Sequence, residues 1–216
     1  MSTARFRPAE LESKGLGSKF LGFCNVGIID WEDKADQFDW ADVYLVATIV
    51  PEGSQYSQEF KIAGSYDKDH KGNITTCTLL KRLYWLFDVL GFDGGPDING
   101  IMVDGEGEPI DLVSYFSQNH VTNPLEPKHE YICYIYKEAG RKDPSKMYSV
   151  VFPKLVHNTP SGLKDLEGYI AFMKSKNLIK EVSELDIAAS KETTPENGVP
   201  DLDSQSAPSS KGPVRF

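Results

Sequence analysis

Hydrophobic and polar residues alternate in five stretches of this chain, and a period of two residues is typical of β-strands. Residues 41–50 show the pattern clearly, because Val43, Leu45, Ala47 and Ile49 share one face of the predicted strand. Glycines interrupt the first stretch, and they predict a bent or bulged strand there. The five predicted strands are residues 20–31, 41–50, 56–63, 130–137 and 147–157.

A helical period replaces the alternation in two longer segments. Residues 76–90 carry a leucine-rich stripe and are followed by Gly91, a residue type that often ends a helix. Residues 163–175 carry a second apolar stripe, and Ser161 is the predicted N-cap of that helix. A shorter helix is predicted over residues 109–116.

Three strands, a helix, two strands and a second helix follow the element order of the OB-fold, a five-stranded Greek-key barrel. Ordinary α+β sheets can share this order. We therefore predict a mainly β fold with α-helices: an OB-fold-like barrel over residues 19–182 with a core helix and a C-terminal helix. Residues 1–18 are predicted to be a flexible arm. Residues 183–216 are too polar to bury a core, and they predict a flexible acidic tail.

The charge of the chain is unevenly distributed. The 216 residues carry a net charge of −9, which argues against a uniformly basic nucleic-acid coat protein and against a polybasic membrane binder. Residues 20–127 sum to −12, however, whereas residues 128–180 sum to +5. The acidic total is therefore compatible with a local basic surface.

The cysteines and the apolar runs indicate where the protein is located. Cys24, Cys77 and Cys133 are widely spaced in apolar surroundings, which predicts buried, reduced thiols in an intracellular protein. No apolar run approaches the about 18 residues that a membrane helix needs, and the N-terminus lacks the apolar region of a secretory signal. We expect a protein of the host-cell cytoplasm that does not contact membranes.

Motifs for catalysis are missing from the sequence. There is no glycine-rich phosphate loop and no Gly-x-Ser-x-Gly elbow, and the four histidines are scattered at no metal-binding spacing. We therefore predict a protein that is not an enzyme and that uses no cofactor or metal. A carboxylate-metal nuclease is kept as an alternative, and its candidate ligands are Asp30, Glu32, Asp36 and Asp39.

Basic and aromatic residues are interleaved around the hairpin between the fourth and fifth predicted strands. Single-stranded nucleic acid is bound by such combinations, because cations follow the phosphates and aromatic rings stack on the bases. In OB-folds this hairpin loop and the loop between strands one and two form the walls of the binding cleft. The loop between strands one and two also carries acidic residues that would repel phosphate. The candidate nucleic-acid-binding residues are Lys137, Arg141, Lys142, Lys146, Tyr134, Tyr136, Tyr148, Trp40, Tyr56, Lys61 and Lys34.

Four segments carry a resemblance to a known family: residues 17–23 (GSKFLGF), 60–67 (FKIAGSYD), 83–92 (LYWLFDVLGF) and 164–170 (KDLEGYI). In these segments the chain resembles the single-stranded-DNA-binding proteins of bacteriophage replication and recombination modules. The resemblance implies an OB-fold and a flexible acidic tail. Similar proteins end in acids followed by an aromatic residue that docks on partner proteins. Here Phe216 matches that ending, Asp201 and Asp203 are the nearby acids, and Arg215 departs from the pattern.

The leading hypothesis is a protein that coats and protects single-stranded DNA during phage-type replication or recombination. The alternative is an OB-like interaction module that recruits replication or recombination proteins and has little affinity for DNA. An oligomer is compatible with either hypothesis. The remaining aromatic residues, among them Tyr84, Trp85, Phe87, Tyr169 and Phe172, are predicted to pack in the core or between helices.

Overall fold

The computed structural model describes residues 20–140, 143–144 and 146–182. The predicted arm over residues 1–18 and the predicted tail over residues 183–216 lie outside the described residues. None of the helices that the structure describes combines the length and the hydrophobicity that crossing a membrane requires.

Within the described ranges the chain forms eight β-strands and three α-helices. In chain order they are β1 (Gly22–Asp33), β2 (Val43–Pro51), β3 (Gln58–Gly64), α1 (Thr78–Leu90), β4 (Gly94–Pro96), β5 (Met102–Asp104), α2 (Leu112–Asn119), β6 (Tyr131–Ala139), β7 (Met147–Val151), β8 (Val156–His157) and α3 (Pro160–Ser175). A short 3₁₀ helix, Ala35–Gln37, lies between β1 and β2. The prediction of a mainly β fold with α-helices is confirmed.

Six strands form one antiparallel sheet with the order β3-β2-β1-β6-β7, and β8 pairs with the beginning of β6. The order β6-β1-β2-β3 is that of a Greek key, in which the fourth strand returns to lie beside the first. No pairing joins β3 to β7 in the described part of the chain, so the sheet is open. Strands β4 and β5 form a separate hairpin.

Two segments differ from the predicted strands. The predicted fifth strand, residues 147–157, is divided into β7 and β8, which pair with opposite ends of β6. Pro153 lies at the break, where it has no N–H to donate to a ladder. The β4–β5 hairpin is not among the predicted strands, because its three-residue strands include Gly94, Gly95 and Pro96, which have low β propensity.

The sheet is buried on both faces at β6 because two hydrophobic clusters meet there. Alternating residues of β6 point to opposite sides: Tyr131, Cys133 and Ile135 join the main core with α1 and α2. Ile132, Tyr134 and Tyr136 join a second cluster with α3. We call the side of the main core the inner face of the sheet and the opposite side the outer face.

The helix ends follow from local hydrogen bonding. Helix α1 begins after Cys77, whose Sγ accepts the N–H of Leu80 at 3.5 Å, and it ends at Gly91 with φ 64°. The N-cap of helix α3 lies two residues before the predicted cap. Its N-cap is Thr159 instead of Ser161, because Thr159 Oγ1 accepts the N–H of Gly162 at 3.1 Å.

Candidate nucleic-acid interface

An aromatic cluster of Phe38, Trp40 and Tyr44 lies at the loop between β1 and β2. The rings of Phe38 and Tyr44 stack with centroids 4.6 Å apart and an interplanar angle of 17°. Trp40 lies 5.9 Å from Phe38 and 6.0 Å from Tyr44, and 56% of its surface is exposed. The cluster therefore presents a broad aromatic surface to solvent, with Trp40 as its most open member.

Hydrogen bonds hold this loop, residues 34–42, against the sheet. The 3₁₀ helix turns the chain after β1, and the N–H of Phe38 donates to the carbonyl of Ala35 at 3.1 Å. The carbonyl of Trp40 accepts a hydrogen bond from Ser65 Oγ. The carboxylate of Asp42 accepts the N–H of Tyr66 at 2.7 Å. These bonds position Trp40 without burying its ring.

A β-bulge in β1 decides which side chains reach the outer face beside this cluster. The register with β2 shifts between Ile28 and Asp30, so that Ile29 is the extra residue. Because of this shift, Trp31 points into the core, whereas Asp30 and Glu32 point to the outer face. The glycine-interrupted pattern predicted such an irregularity in this strand.

Four charged residues form a network on the outer face next to the aromatic cluster. Glu32, Val46 and Lys61 lie in one row across β1, β2 and β3. Lys61 Nζ is 2.5 Å from Glu59 Oε2, and Lys34 Nζ is 2.9 Å from Glu32 Oε2 and 3.8 Å from Glu59 Oε1. Val46 is only 2% exposed between them, which is consistent with lysine stems covering an apolar side chain.

The electrostatics of this network are balanced. The hydrogen bond from Lys61 holds the pKa of Glu59 below its ordinary value, and the hydrogen bond to Glu32 raises the pKa of Lys34. Both cations are therefore already paired with carboxylates. Glu32 is one of the acidic residues predicted to repel phosphate, whereas Glu59 of β3 was not among them.

Two predicted stacking residues are placed differently by the structure. Tyr134 and Tyr136 are 4% and 7% exposed, because α3 covers this part of the outer face of β6. The two rings stack on each other with centroids 5.9 Å apart, and Phe23 packs on Tyr134 at 4.9 Å. Their predicted role as base-stacking residues is not compatible with this burial.

A polar network closes the cover over Tyr134. Its hydroxyl is 2.6 Å from Lys174 Nζ and 2.9 Å from Glu181 Oε2, and Lys174 and Glu181 are 2.5 Å apart. Burial raises the pKa of Tyr134. Residues 178–182, which we call the strap, follow α3, and the N–H of Val182 donates to the carbonyl of Lys137 at 2.9 Å. The strap therefore runs beside the end of β6.

The predicted basic hairpin is described only in part, since Arg141 and Lys142 lie outside the described residues. Tyr148 is exposed and lies opposite Glu138 in the β6–β7 ladder. Lys137 is half-buried and lies opposite Ser149. These neighbouring pairs point to opposite faces of the ladder. Lys146 Nζ lies 3.5 Å from Asp143 Oδ2.

The strand register separates the predicted binding residues into two groups. Lys34 and Trp40 follow the last residue of β1, Asp33. The β6–β7 hairpin instead lies beyond the first residue of β1, because Gly22 pairs with Ile135. Tyr56, which is exposed, lies near that same end in the loop after β2. The loop of residues 34–42 and the β6–β7 hairpin therefore lie at opposite ends of the 12-residue strand β1.

Two aromatic residues that were predicted to pack are instead half exposed: Tyr84 on α1 and Phe172 on α3. The helical stripe does not reveal this exposure, because both residues lie at its margin.

Lys154 packs between α1 and α3, with Nζ 5.1 Å from the ring centroid of Trp85 and 4.8 Å from that of Tyr169. It also lies 2.8 Å from Asp165, so this cation has its own partners.

The alternative metal site was expected at Asp30, Glu32, Asp36 and Asp39. In the described ranges no three His, Cys, Asp or Glu side chains are grouped as a metal site requires. Phe216, Asp201 and Asp203, the expected partner-binding residues, lie outside the described residues.

In comparisons with protein-family models, with curated proteins and with solved structures, nothing matched this chain.

Proposed function

We propose that this protein binds single-stranded DNA, without catalysis, across the outer face of β1, β2 and β3. The observation that carries the proposal is the exposed aromatic cluster of Phe38, Trp40 and Tyr44 beside Lys34 and Lys61. Stacking of bases on aromatic rings stabilises such complexes by about 1–3 kcal/mol per base and tolerates any sequence. A protein with this surface would coat and protect single strands during replication or recombination of the phage type.

The strand order supports an OB-fold-like barrel. The Greek-key order places β3 and β7 at the two edges of the sheet, where an OB barrel would close. Along the chain, α1 lies between β3 and β6, the third and fourth strands of such a barrel. OB-folds bind single strands on the face of strands two and three and between two loops. These correspond here to β2, β3, the loop of residues 34–42 and the β6–β7 hairpin.

In the proposed binding, phosphate groups of the DNA compete with two carboxylates for the lysines of the charge network. A phosphate must take the place of Glu32 or Glu59 to reach Lys34 or Lys61, since both cations are paired in the free protein. Lys137 and Lys146, at the other end of β1, are the second proposed phosphate contact. Arg141 and Lys142 are proposed to contribute to the same contact. We therefore expect binding that weakens steeply as salt is added, with a log–log slope of ~0.7 per phosphate contact.

The test is fluorescence anisotropy of labelled oligo(dT) with the full chain at several salt concentrations. Lys61→Glu is expected to weaken binding more than Lys71→Glu, a matched change at an exposed lysine in the loop after β3. Equal losses in both variants would show that only total charge matters. Absence of binding at low salt would disprove the proposal.

A protein-interaction module is the second candidate, and the half-exposed Phe172 and Tyr84 favour it. Both rings lie on helices, Tyr84 on α1 and Phe172 on α3. If this candidate is correct, Phe172→Ala will reduce capture of replication or recombination proteins and leave oligo(dT) binding unchanged. Loss of oligo(dT) binding in Phe172→Ala would instead place this helix in the nucleic-acid interface.

A further inference from the structure

Two of the three cysteines face each other across the centre of the sheet. Cys24 of β1 and Cys133 of β6 are direct partners in the antiparallel register, between the pairs Phe23↔Tyr134 and Asn25↔Ile132. Both thiols are free. Cys133 is fully buried in the main core, and Cys24 is half-buried against the same core, so the two side chains share the inner face.

The register places this pair within reach of a covalent bond. Residues directly opposite each other in an antiparallel ladder have Cα atoms ~4.5–5.5 Å apart. Disulfides span Cα separations of ~4.4–6.8 Å. The ladder continues on both sides of the pair, so the two backbones are held at this spacing.

We propose that Cys24 and Cys133 are a redox-sensitive modification site that forms an intramolecular disulfide in response to a hydroperoxide. This inference goes beyond the proposed function and does not depend on it. Cys24 is the residue that reacts first, because it is the partly accessible member of the pair. Cys133 is the resolving residue, since its burial shields it from solvent oxidants.

The reaction balances with one peroxide. The Cys24 thiolate attacks one oxygen of hydrogen peroxide, the O–O bond breaks, and the departing hydroxide takes up the thiol proton to form water. Cys24 is then a sulfenic acid. The Cys133 sulfur attacks Cys24 Sγ, the S–S bond forms, and the S–O bond breaks. The second hydroxide takes up the Cys133 proton, so the peroxide gains two electrons and two waters leave.

The surroundings make this reaction slow near neutral pH. Burial raises the pKa of the Cys24 thiol, and burial also raises that of Cys133. The reactive thiolate is therefore scarce, and the rate is expected to rise with pH. A slow pair of this kind responds to sustained oxidation and not to brief exposure.

The disulfide would link β1 to β6 at the centre of the sheet. In the described sheet, the β1–β6 pairing joins β1, β2 and β3 to β6, β7 and β8. A bond between Cys24 and Cys133 closes a long loop and restrains the unfolded chain accordingly. We expect the oxidised protein to melt roughly 10 °C higher than the reduced protein.

Cys77 is the internal control, because it lies at the N-cap of α1, where its Sγ accepts a backbone N–H. The full chain is treated with hydrogen peroxide, denatured so that the buried Cys77 becomes accessible, alkylated with iodoacetamide and analysed by intact mass and by peptide mapping. The expected result is a loss of two hydrogens, alkylation of Cys77 alone, and a cross-linked peptide that contains residues 24 and 133. Cys77→Ser should still form the cross-link, whereas Cys24→Ser should not.

Three outcomes would overturn the inference. They are a sulfinic acid at Cys24 with Cys133 still alkylated, a disulfide between two chains on a non-reducing gel, and an oxidised protein that melts at a lower temperature than the reduced one. The peptide map of the unmodified chain decides the question even if a substitution at the buried Cys133 prevents folding.

Discussion

The outer face of the sheet carries tyrosines in two places, and the two places differ in what covers them. On β2, Tyr44 belongs to a cluster whose Trp40 is open to solvent. On β6, Tyr134 and Tyr136 stack on each other under α3 and the strap. The two regions share alternation and residue type, so an aromatic residue on an outward strand position does not by itself mark a binding surface. The element that packs over it decides.

The cover over β6 has both apolar and polar components. Leu166 and Ile170 of α3 and Ile179 of the strap are buried in the second cluster. Glu181 and Lys174 hydrogen-bond the hydroxyl of Tyr134. Near the aromatic cluster, the corresponding polar groups are Lys34, Lys61 and their carboxylate partners, which leave the rings uncovered.

The largest effect is expected from breaking the apolar part of the cover. Leu166→Ala removes a fully buried side chain and should lower the free energy of unfolding by about 2–5 kcal/mol. Urea unfolding measures this loss. The control is Glu167→Ala at the next, exposed position, where a change within about 0.5 kcal/mol is expected. Equal losses in the two variants would contradict the packing of α3 on β6.

The next effect concerns the open region. Trp40→Ala should weaken oligo(dT) binding by about 1–3 kcal/mol, or roughly 5- to 150-fold, because one stacking surface is lost. Its free energy of unfolding should change little, since the ring is largely exposed. Phe172→Ala removes an equally exposed ring from α3 and is expected to leave the affinity unchanged. If Trp40→Ala binds like the unmodified protein, the aromatic cluster is not the stacking surface.

A smaller effect, in the opposite direction, is expected at the charge network. Glu59→Gln removes a carboxylate that pairs with Lys61 and Lys34, so it should tighten oligo(dT) binding about two- to five-fold and steepen its salt dependence. Anisotropy titrations at two salt concentrations measure both changes. Glu106→Gln, an identical change at the exposed turn after β5, serves as the control. Weaker binding in Glu59→Gln would mean that phosphate does not replace this carboxylate.

The smallest expected effect is a pH dependence of the protein's stability that arises from Tyr134 in the covered region. Burial raises the pKa of Tyr134, so the folded protein keeps the phenol proton more tightly than the unfolded chain does. The stabilisation is complete below the ordinary tyrosine pKa of about 10 and is lost as the pH rises above it. Denaturant midpoints between about pH 9 and pH 11 should therefore decrease, and less so in Tyr134→Phe. An unchanged slope in that variant would contradict the role of Tyr134.

Much of the fold could be predicted because its signals are local. Alternation at Val43, Leu45, Ala47 and Ile49 defines β2, and the leucine stripe with Gly91 defines α1. The division of residues 147–157 into β7 and β8 was missed although Pro153 lies at the break, since the end of β6 with which each part pairs depends on contacts between distant residues. The exposure of Phe172 was also missed, because it depends on how α3 is rotated against its neighbours.

The candidate site was predictable only as a set of residue types. The sequence indicated that Lys34, Trp40 and Lys61 are suited to nucleic acid, but it placed Tyr134 in the same set as Trp40. Lys61 and Glu59 are two positions apart on β3, so their pairing is local. The pairing of Lys34 with Glu59 instead depends on β1 and β3 flanking β2, as well as on the bulge at Ile29, and it joins residues 25 positions apart that share no local pattern.

The sequence alone determined which residues alternate, where helices form and how the charge is divided along the chain, because these properties depend on neighbours within a few residues. The tertiary structure decided which aromatic residues are covered, which cations are paired and which cysteines face each other. Residues 166–181 cover β6, and Cys24 meets Cys133, through contacts between distant parts of the chain. The physical reason is that burial and pairing are properties of packed surfaces, and a packed surface exists only after the chain has folded.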